Sequence, residues 1–414
     1  MKSDYRFRRA ESTADIQQLK ALFTEVFYPE EVGVLAEIFS QSLPGMQMRN
    51  WFVAEHLPSG QLVSAFALIP WQWEYEGQLL KVAEMGIVGT LQAHRGQGLM
   101  RVLNKEFEQT LQAESYHLAV IQGIPGFYGQ FGYSYALPLE NHINLGWHQI
   151  PDAELQDGFV FRLATSADIP FLLAEDARYR AAFSVSVNRT ADQWQYLLTE
   201  SCKTEYGSEF WIMQALDSGE RYYARIPALG FGAGLILSEI SAHIRHAALL
   251  RLLAFCKQLG LERDKPYLRL NLHNDSPAGQ LARALGAKPG HPYAWQIKIP
   301  DPACLLKTLK PLLERRMLAS CFQGYSGQLR LDFYRQAVDL AWQDGELVSV
   351  GPAEGESDAS FSLSQELFPA LCLGHRSWQE LQHIRPDVFP SSASSARLVE
   401  TLFPPSFSWI YEQY

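Results

Sequence analysis

The run VAEMGIVGTLQAHRGQGLMRVL, residues 82–103, decides how this chain folds. Residues 82–90 read as a strand that stops, turns through His94, Arg95, Gly96, Gln97 and Gly98, and enters a helix. Met100, Leu103, Phe107 and Leu111 recur at helical spacing, so one face of that helix is expected to be buried. A glycine-rich turn feeding a helix N-terminus gathers several unpaired backbone N–H groups at one point. With the helix dipole behind them, these donors make a site for a phosphate-bearing ligand.

Two nucleotide motifs are excluded. No GxxxxGK[ST] loop stands here, and the glycines at 96 and 98 lack the third glycine of a dinucleotide fingerprint. What remains is Arg95-x-x-Gly98-x-Met100, with Val88 and Thr90 upstream at alternate strand positions. A second stretch follows, HLAVIQGIPGFYGQFGYSYA at residues 117–136, in which Tyr128 stands four residues before Gly132 and Tyr133. The two stretches, in this order, resemble the GCN5-related N-acetyltransferase (GNAT) superfamily. That resemblance implies a mixed sheet flanked by helices, acetyl-CoA as cosubstrate, and Tyr128 on a later helix as general acid. It implies that Arg95, Gly96, Gln97, Gly98, Leu99, Met100 and Arg101 hold the coenzyme's pyrophosphate. The pantetheine arm is then expected to pair with the strand at Val88, Gly89 and Thr90. The superfamily usually has Gly or Ala where this chain has Met100.

The 414 residues exceed one compact core, so two or three domains are expected. Apolar residues make up 47% and charged residues 19%, as in a soluble globular protein, and no apolar run is long enough to span a membrane. The N-terminal MKSDYRFRRAES lacks the apolar core of a secretory signal. The five cysteines are scattered without a CxxC, which fits free thiols in a reducing cytoplasm and gives no metal site. A formal charge of −10 argues against nucleic acid as a partner and is compatible with a cationic amine substrate.

The chain also repeats itself. Phe7-Arg8-Arg9-Ala10-Glu11-Ser12-Thr13-Ala14-Asp15-Ile16 recurs, one residue shorter, as Phe161-Arg162-Leu163-Ala164-Thr165-Ser166-Ala167-Asp168-Ile169. In each copy a short strand leads through Ser/Thr-rich residues into a capped helix. Chance could produce so short a match, but its placement at the head of two segments of similar size favours duplication of a whole domain. The second copy has Ala282 four residues before Gly286, where the first has Tyr128 before Gly132, and its strand at 232–237 meets no Arg-x-x-Gly turn. It is expected to keep the fold without the coenzyme site or the acid.

The third segment opens with a helix expected over residues 302–317, its apolar face formed by Leu305, Leu306, Leu309, Leu312 and Leu313. Alternation at 328–333 and 338–342 gives strands, and Asp344-Gly345 signals a hairpin. Read in order, the chain resembles the enhanced-intracellular-survival (Eis) acetyltransferases. It would comprise an active domain at 1–150, a degenerate copy at 151–298, and a sterol-carrier-like α+β domain at 299–414. The resemblance further implies a homo-oligomer, a hexamer, and a Tyr414 carboxylate that enters the first domain's cleft as the base. Gln413 stands where an acidic residue is expected.

The chemistry follows. A protonated amine does not attack a thioester, so the acceptor must lose a proton. A strand-end N–H near Val88 stabilises the oxygen that gains charge, and Tyr128 returns a proton to the leaving sulfur. The acceptor is a small-molecule amine or a lysine side chain. Glu84 is a second candidate base, although a salt bridge explains it equally well. An exposed turn accounts for His94, and packing accounts for the run from Trp71 through Trp73 to Tyr75. The alternative reading is a non-enzymatic acyl-CoA or lipid-binding module.

Overall fold

A computed structural model describes residues 4–152, 158–230, 232–355, 357, 359–411 and 414. The first segment opens with β1 (Tyr5–Arg9), α1 (Thr13–Phe27) and α2 (Val32–Ser42). Ser12 caps α1: its hydroxyl accepts from the Asp15 amide, and the Asp15 carboxylate accepts from the Ser12 amide. Asp15 also takes both arms of the Arg8 guanidinium, which ties strand to helix. Next come β2 (Trp51–His56), β3 (Gln61–Tyr75) and β4 (Gln78–Thr90), all antiparallel, then α3 (Leu99–Ala113), β5 (Leu118–Ile121), β6 (Ser134–Glu140) and β7 (Ile143–Gly146). Because side chains alternate along a strand, Trp51 packs with Phe23 of α1 on one face of the sheet. Its neighbour Phe52 packs with Phe66 and Phe107 of α3 on the other.

The second segment runs through β8 (Phe159–Leu163), α4 (Ile169–Ala182), β9 (Val185–Val187), α5 (Ala191–Thr199), β10 (Ser208–Ala215) and β11 (Arg221–Pro227). It continues with β12 (Leu235–Leu237), β13 (Glu239–Ile240), α6 (His246–Glu262), β14 (Tyr267–Leu270), α7 (Pro277–Ala284), β15 (Lys288–Pro289) and β16 (Tyr293–Lys298). The device at its head repeats that of the first segment. Arg162 clasps both oxygens of Asp168 at 2.7 Å, and the Thr165 amide donates to the same carboxylate at 2.9 Å.

The segments exchange strands. The large sheet has the order β1-β2-β3-β4-β5-β16-β6, so the last strand of the second segment lies between two strands of the first. In return β7 sits between β14 and β15 in the order β12-β14-β7-β15. The antiparallel half of the second segment, β13-β11-β10-β8, forms a sheet of its own. The lines drawn at residues 150 and 298 thus do not enclose two closed sheets. Each inserted strand gives β5, β6, β14 or β15 the backbone partner it would otherwise lack, and Trp295 and Ile297 of β16 are fully buried.

The third segment contains α8 (Pro302–Thr308), α9 (Lys310–Leu318), β17 (Gly327–Asp332), β18 (Ala337–Gln343), β19 (Glu346–Pro352) and β20 (Ala359–Ser362). It closes with α10 (Phe368–Cys372), α11 (Trp378–Ile384), β21 (Phe389–Pro390) and α12 (Ala393–Leu402). The one helix expected over 302–317 is two, because Pro311 lacks the N–H that a continuous ladder needs there. All five leucines of its expected face are buried nonetheless. The sheet has the order β19-β18-β17-β20-β21. Asp344 and Gly345 join β18 to β19 with both φ angles positive, +51° and +87°, as a tight hairpin requires.

Candidate active site

β4 pairs in parallel with β5 only from Val82↔Leu118 to Glu84↔Val120, yet it continues to Thr90. Beyond Glu84 it pairs with β3 alone, so the two central strands splay and open a cleft. A bulge drives β4 away. Between the pairs Ala67↔Gly86 and Ala65↔Gly89, two residues, Ile87 and Val88, face Phe66 alone, and Ile87 adopts φ +51°. Gly89 lies against α1, since a Cβ there would lie 3.0 Å from the Phe23 ring. The Thr90 hydroxyl bonds Ser64 at 2.7 Å, and its carbonyl accepts from Arg95 Nε at 3.1 Å.

Gly96 and Gly98 both take positive φ, +75° and +74°, and Gly98 precedes α3 with no side-chain cap. Among the described residues, the amides of Gly96, Gln97, Gly98, Leu99 and Met100 donate to no protein acceptor. The Gly96 and Gly98 α-carbons face open space. Five free amides at the N-terminus of a fifteen-residue helix fit an anionic phosphate. Leu99 is buried and Met100 half-buried in the core under α3, which explains the large side chain at that position. Arg101 is exposed and lines a cavity of about 470 Å³ with Lys105 of α3 and Lys298 of β16.

Tyr128 begins a single 3-10 turn, Tyr128–Phe131, rather than a longer helix. A Cβ on Gly123 would lie 2.2 Å from the Tyr128 ring, so only glycine lets the ring lie against that loop. β16 holds the loop, as Gln296 donates to the Gly123 carbonyl at 2.8 Å. Burial pushes the Tyr128 phenol up to about 12, and the side chain stays protonated at neutral pH.

Glu84 lies at the last β4–β5 pair and is 1% exposed. Trp71 Nε1 donates to its Oε2 at 2.6 Å, and the Tyr414 hydroxyl donates to its Oε1 at 2.8 Å. The Tyr414 ring lies between Phe39 and Trp71, at centroid distances of 5.1 Å and 6.0 Å. Its main-chain oxygen accepts from Arg225 Nη2 of β11 at 2.8 Å. It is therefore the phenol of Tyr414, and not the carboxylate expected there, that meets the first segment's central strand, because the main-chain end is drawn to the Arg225 guanidinium of the second. Gln413 lies outside the described residues.

Residues 6–136 match the family model described as an acetyltransferase (GNAT) domain. The chain is an acyltransferase. Domains of this kind use acetyl-CoA and act on amines. Solved structures with the same fold span almost the whole chain. A conserved Enterococcus faecalis protein described as a probable N-acyltransferase aligns with a TM-score of 0.72 at 16% identity, over 99% of both chains. A GCN5-related N-acetyltransferase from Anabaena variabilis gives 0.69 at 14%, over 98% of this acyltransferase and 99% of that chain. Eis1 from Mycobacterium abscessus gives 0.62 at 15%, over 99% and 100%. At such identities the likeness is one of fold. No curated protein matches the chain.

Other residues singled out in the sequence have structural partners. His94 accepts or donates at 2.9 Å with the Tyr5 hydroxyl and packs beside His56. Among the described residues no group of three or more His, Cys, Asp or Glu side chains is placed to hold a metal, and no helix is long and apolar enough to cross a membrane. Trp71, assigned from sequence to packing alone, also bonds Glu84, while Gln122, Arg225 and Gln296 were missed. Arg225 had one legible signal, a charged side chain inside the otherwise apolar alternation of RYYARIP.

Proposed function

We propose that this chain transfers the acetyl group of acetyl-CoA to an amine of a cationic small molecule or of a lysine side chain. The observation that carries the reading is the row of five free amides, Gly96 to Met100, at the end of a strand whose edge is open past Glu84. Val88, Gly89 and Thr90 line the strand side of the coenzyme site, and Arg95 to Arg101 form the turn that holds its phosphates. When bound, acetyl-CoA supplies the acetyl group as a reactive thioester. Tyr128 serves as general acid, a role supported by a phenol that burial keeps protonated. Tyr414 serves the removal of the amine's proton, supported by its bond to Glu84.

Release of free thiol from acetyl-CoA, measured with a panel of polyamines, aminoglycosides and lysine peptides, tests the reading. At least one amine is expected to raise release well above the hydrolysis background. No stimulation by any amine, in protein that binds acetyl-CoA, overturns it.

The wider likeness to the Eis acetyltransferases is part of the same proposal: a degenerate second domain, a sterol-carrier-like third domain, a hexamer and a cytoplasmic setting. It is supported by full-length coverage of Eis1 and by the third segment's α+β sheet. Light scattering at micromolar concentration is expected to give the hexamer mass, and a monomer mass removes that part.

A further inference from the structure

Glu84 and the cleft are joined by one side chain. The carboxylate is 1% exposed, with Trp71 on one oxygen and the Tyr414 phenol on the other. Gln122 reaches both Glu84 and the Tyr414 hydroxyl only at 3.4 Å, too long for a firm bond. Tyr414 is half-buried and Glu84 is not exposed, so Tyr414 is the more accessible of the two residues.

Tyr414 is held from the second segment. Arg225 is 1% exposed and is fixed through Nε to Ser208 Oγ at 2.7 Å and through Nη1 to Glu239 at 2.8 Å. Glu239 is in turn clasped by both nitrogens of Arg189, at 2.8 and 2.7 Å. The remaining arm, Nη2, takes the Tyr414 main-chain oxygen. The tail leading there is anchored on the same segment. Tyr179 donates to the Trp409 carbonyl and stacks on Tyr411, whose hydroxyl bonds the Ile240 carbonyl. A buried guanidinium held at three corners sets the depth to which the Tyr414 ring enters between Phe39 and Trp71.

We infer that the acceptor amine's proton leaves through the Tyr414 phenol to Glu84, and that Arg225 is the positioning residue for this relay. The inference rests on the amine acetylation proposed above. The nitrogen gives a proton to Tyr414 Oη while the phenolic proton passes to Glu84 Oε1, so Tyr414 ends neutral and Glu84 protonated. A new N–C bond forms and the C–S bond breaks. An ammonium acceptor sheds two protons overall: the first passes to solvent before attack, and the second, carried by the relay, is released from Glu84 while Tyr128 regains from solvent the proton it gave to sulfur. The proton that enters the relay leaves a nitrogen already bonded to the acetyl carbon, where it is far more acidic than on the free amine, which is why a weak base suffices.

The test uses the full chain and an amine that the wild type acetylates. Should no amine be acetylated, the underlying reading fails, and the relay with it. With such an amine, Tyr414→Phe is expected to lower kcat roughly 10²-fold or more, with acetyl-CoA affinity by calorimetry unchanged. Glu84→Gln is expected to do the same, and the double variant to fall no further, as for groups that act as a unit. Arg225→Met is expected to lower kcat and to speed hydrogen exchange of the 403–414 segment at least tenfold in the protein without coenzyme, with Arg225→Lys recovering part of both. Tyr414→Phe at wild-type kcat, or losses in Tyr414→Phe and Glu84→Gln that multiply, overturn the relay. Arg225→Met with unchanged tail exchange overturns the positioning role.

Discussion

The two halves of the fold share a scaffold and differ at one place, the point where the central strands part. In the first, β4 leaves β5 after Glu84 and ends in the glycine turn with its free amides. In the second, β12 pairs with β14 from Leu235 to Leu237, and the chain then passes through β13 into α6 without a glycine turn. The space between Ile240 and Leu272, a cavity of about 230 Å³, is lined by Phe407, Trp409 and Tyr411 of the chain's own tail. Ala282 is fully buried in α7, the segment that matches the Tyr128 turn. One scaffold therefore yields two uses. A splay with donors at its end suits a phosphate-bearing ligand, whereas one without them serves as a dock for an aromatic tail.

Tyr128→Phe bears most heavily on this contrast. It is expected to cut kcat by roughly 10²–10⁴-fold, as loss of a general acid does, while calorimetry shows acetyl-CoA bound as before. Gly98→Pro comes next. Proline fixes φ near −65° where the chain needs +74°, and it removes an amide from the turn, so acetyl-CoA affinity is expected to fall at least about tenfold. His243→Ala, in the turn between β13 and α6, should leave that affinity unchanged, and an equal loss there would break the contrast.

Gly123→Ala would place a methyl group against the Tyr128 ring and is expected to cost about 1–3 kcal/mol in chemical denaturation through overpacking. The smallest effect concerns what the halves share. Arg8 and the Glu11 and Ser12 amides overcome burial to hold Asp15 down at about 2, and Arg162 with Thr165 holds Asp168 at about 2. A carboxylate so depressed adds stability above its unfolded value of about 3.9, lost as pH falls through about 2. Asp15→Asn and Asp168→Asn should each flatten the stability–pH curve between those values. A change confined to one of them would show that the repeated head is not equivalent in the two halves.

Sequence alone determined the strand–turn–helix at residues 82–103, the hairpin at Asp344-Gly345, the repeated head and the absence of a Tyr128 counterpart near Gly286. These are local properties. Glycine at positive φ, capping residues and apolar spacing act within a few residues of themselves, so their meaning can be read where they stand. The break at Pro311 was equally local and went unread because the leucine pattern runs through it unchanged. Only the tertiary structure decided the exchange of β7 and β16, since an apolar strand such as YAWQIK fits any gap between two unpaired edges. Only it brought Trp71 and Arg225 to Glu84 and Tyr414, a pair 330 residues apart in the chain. Hydrogen bonds and ion pairs are short-ranged in space and indifferent to separation in sequence, so which partners a buried charge finds is settled by packing.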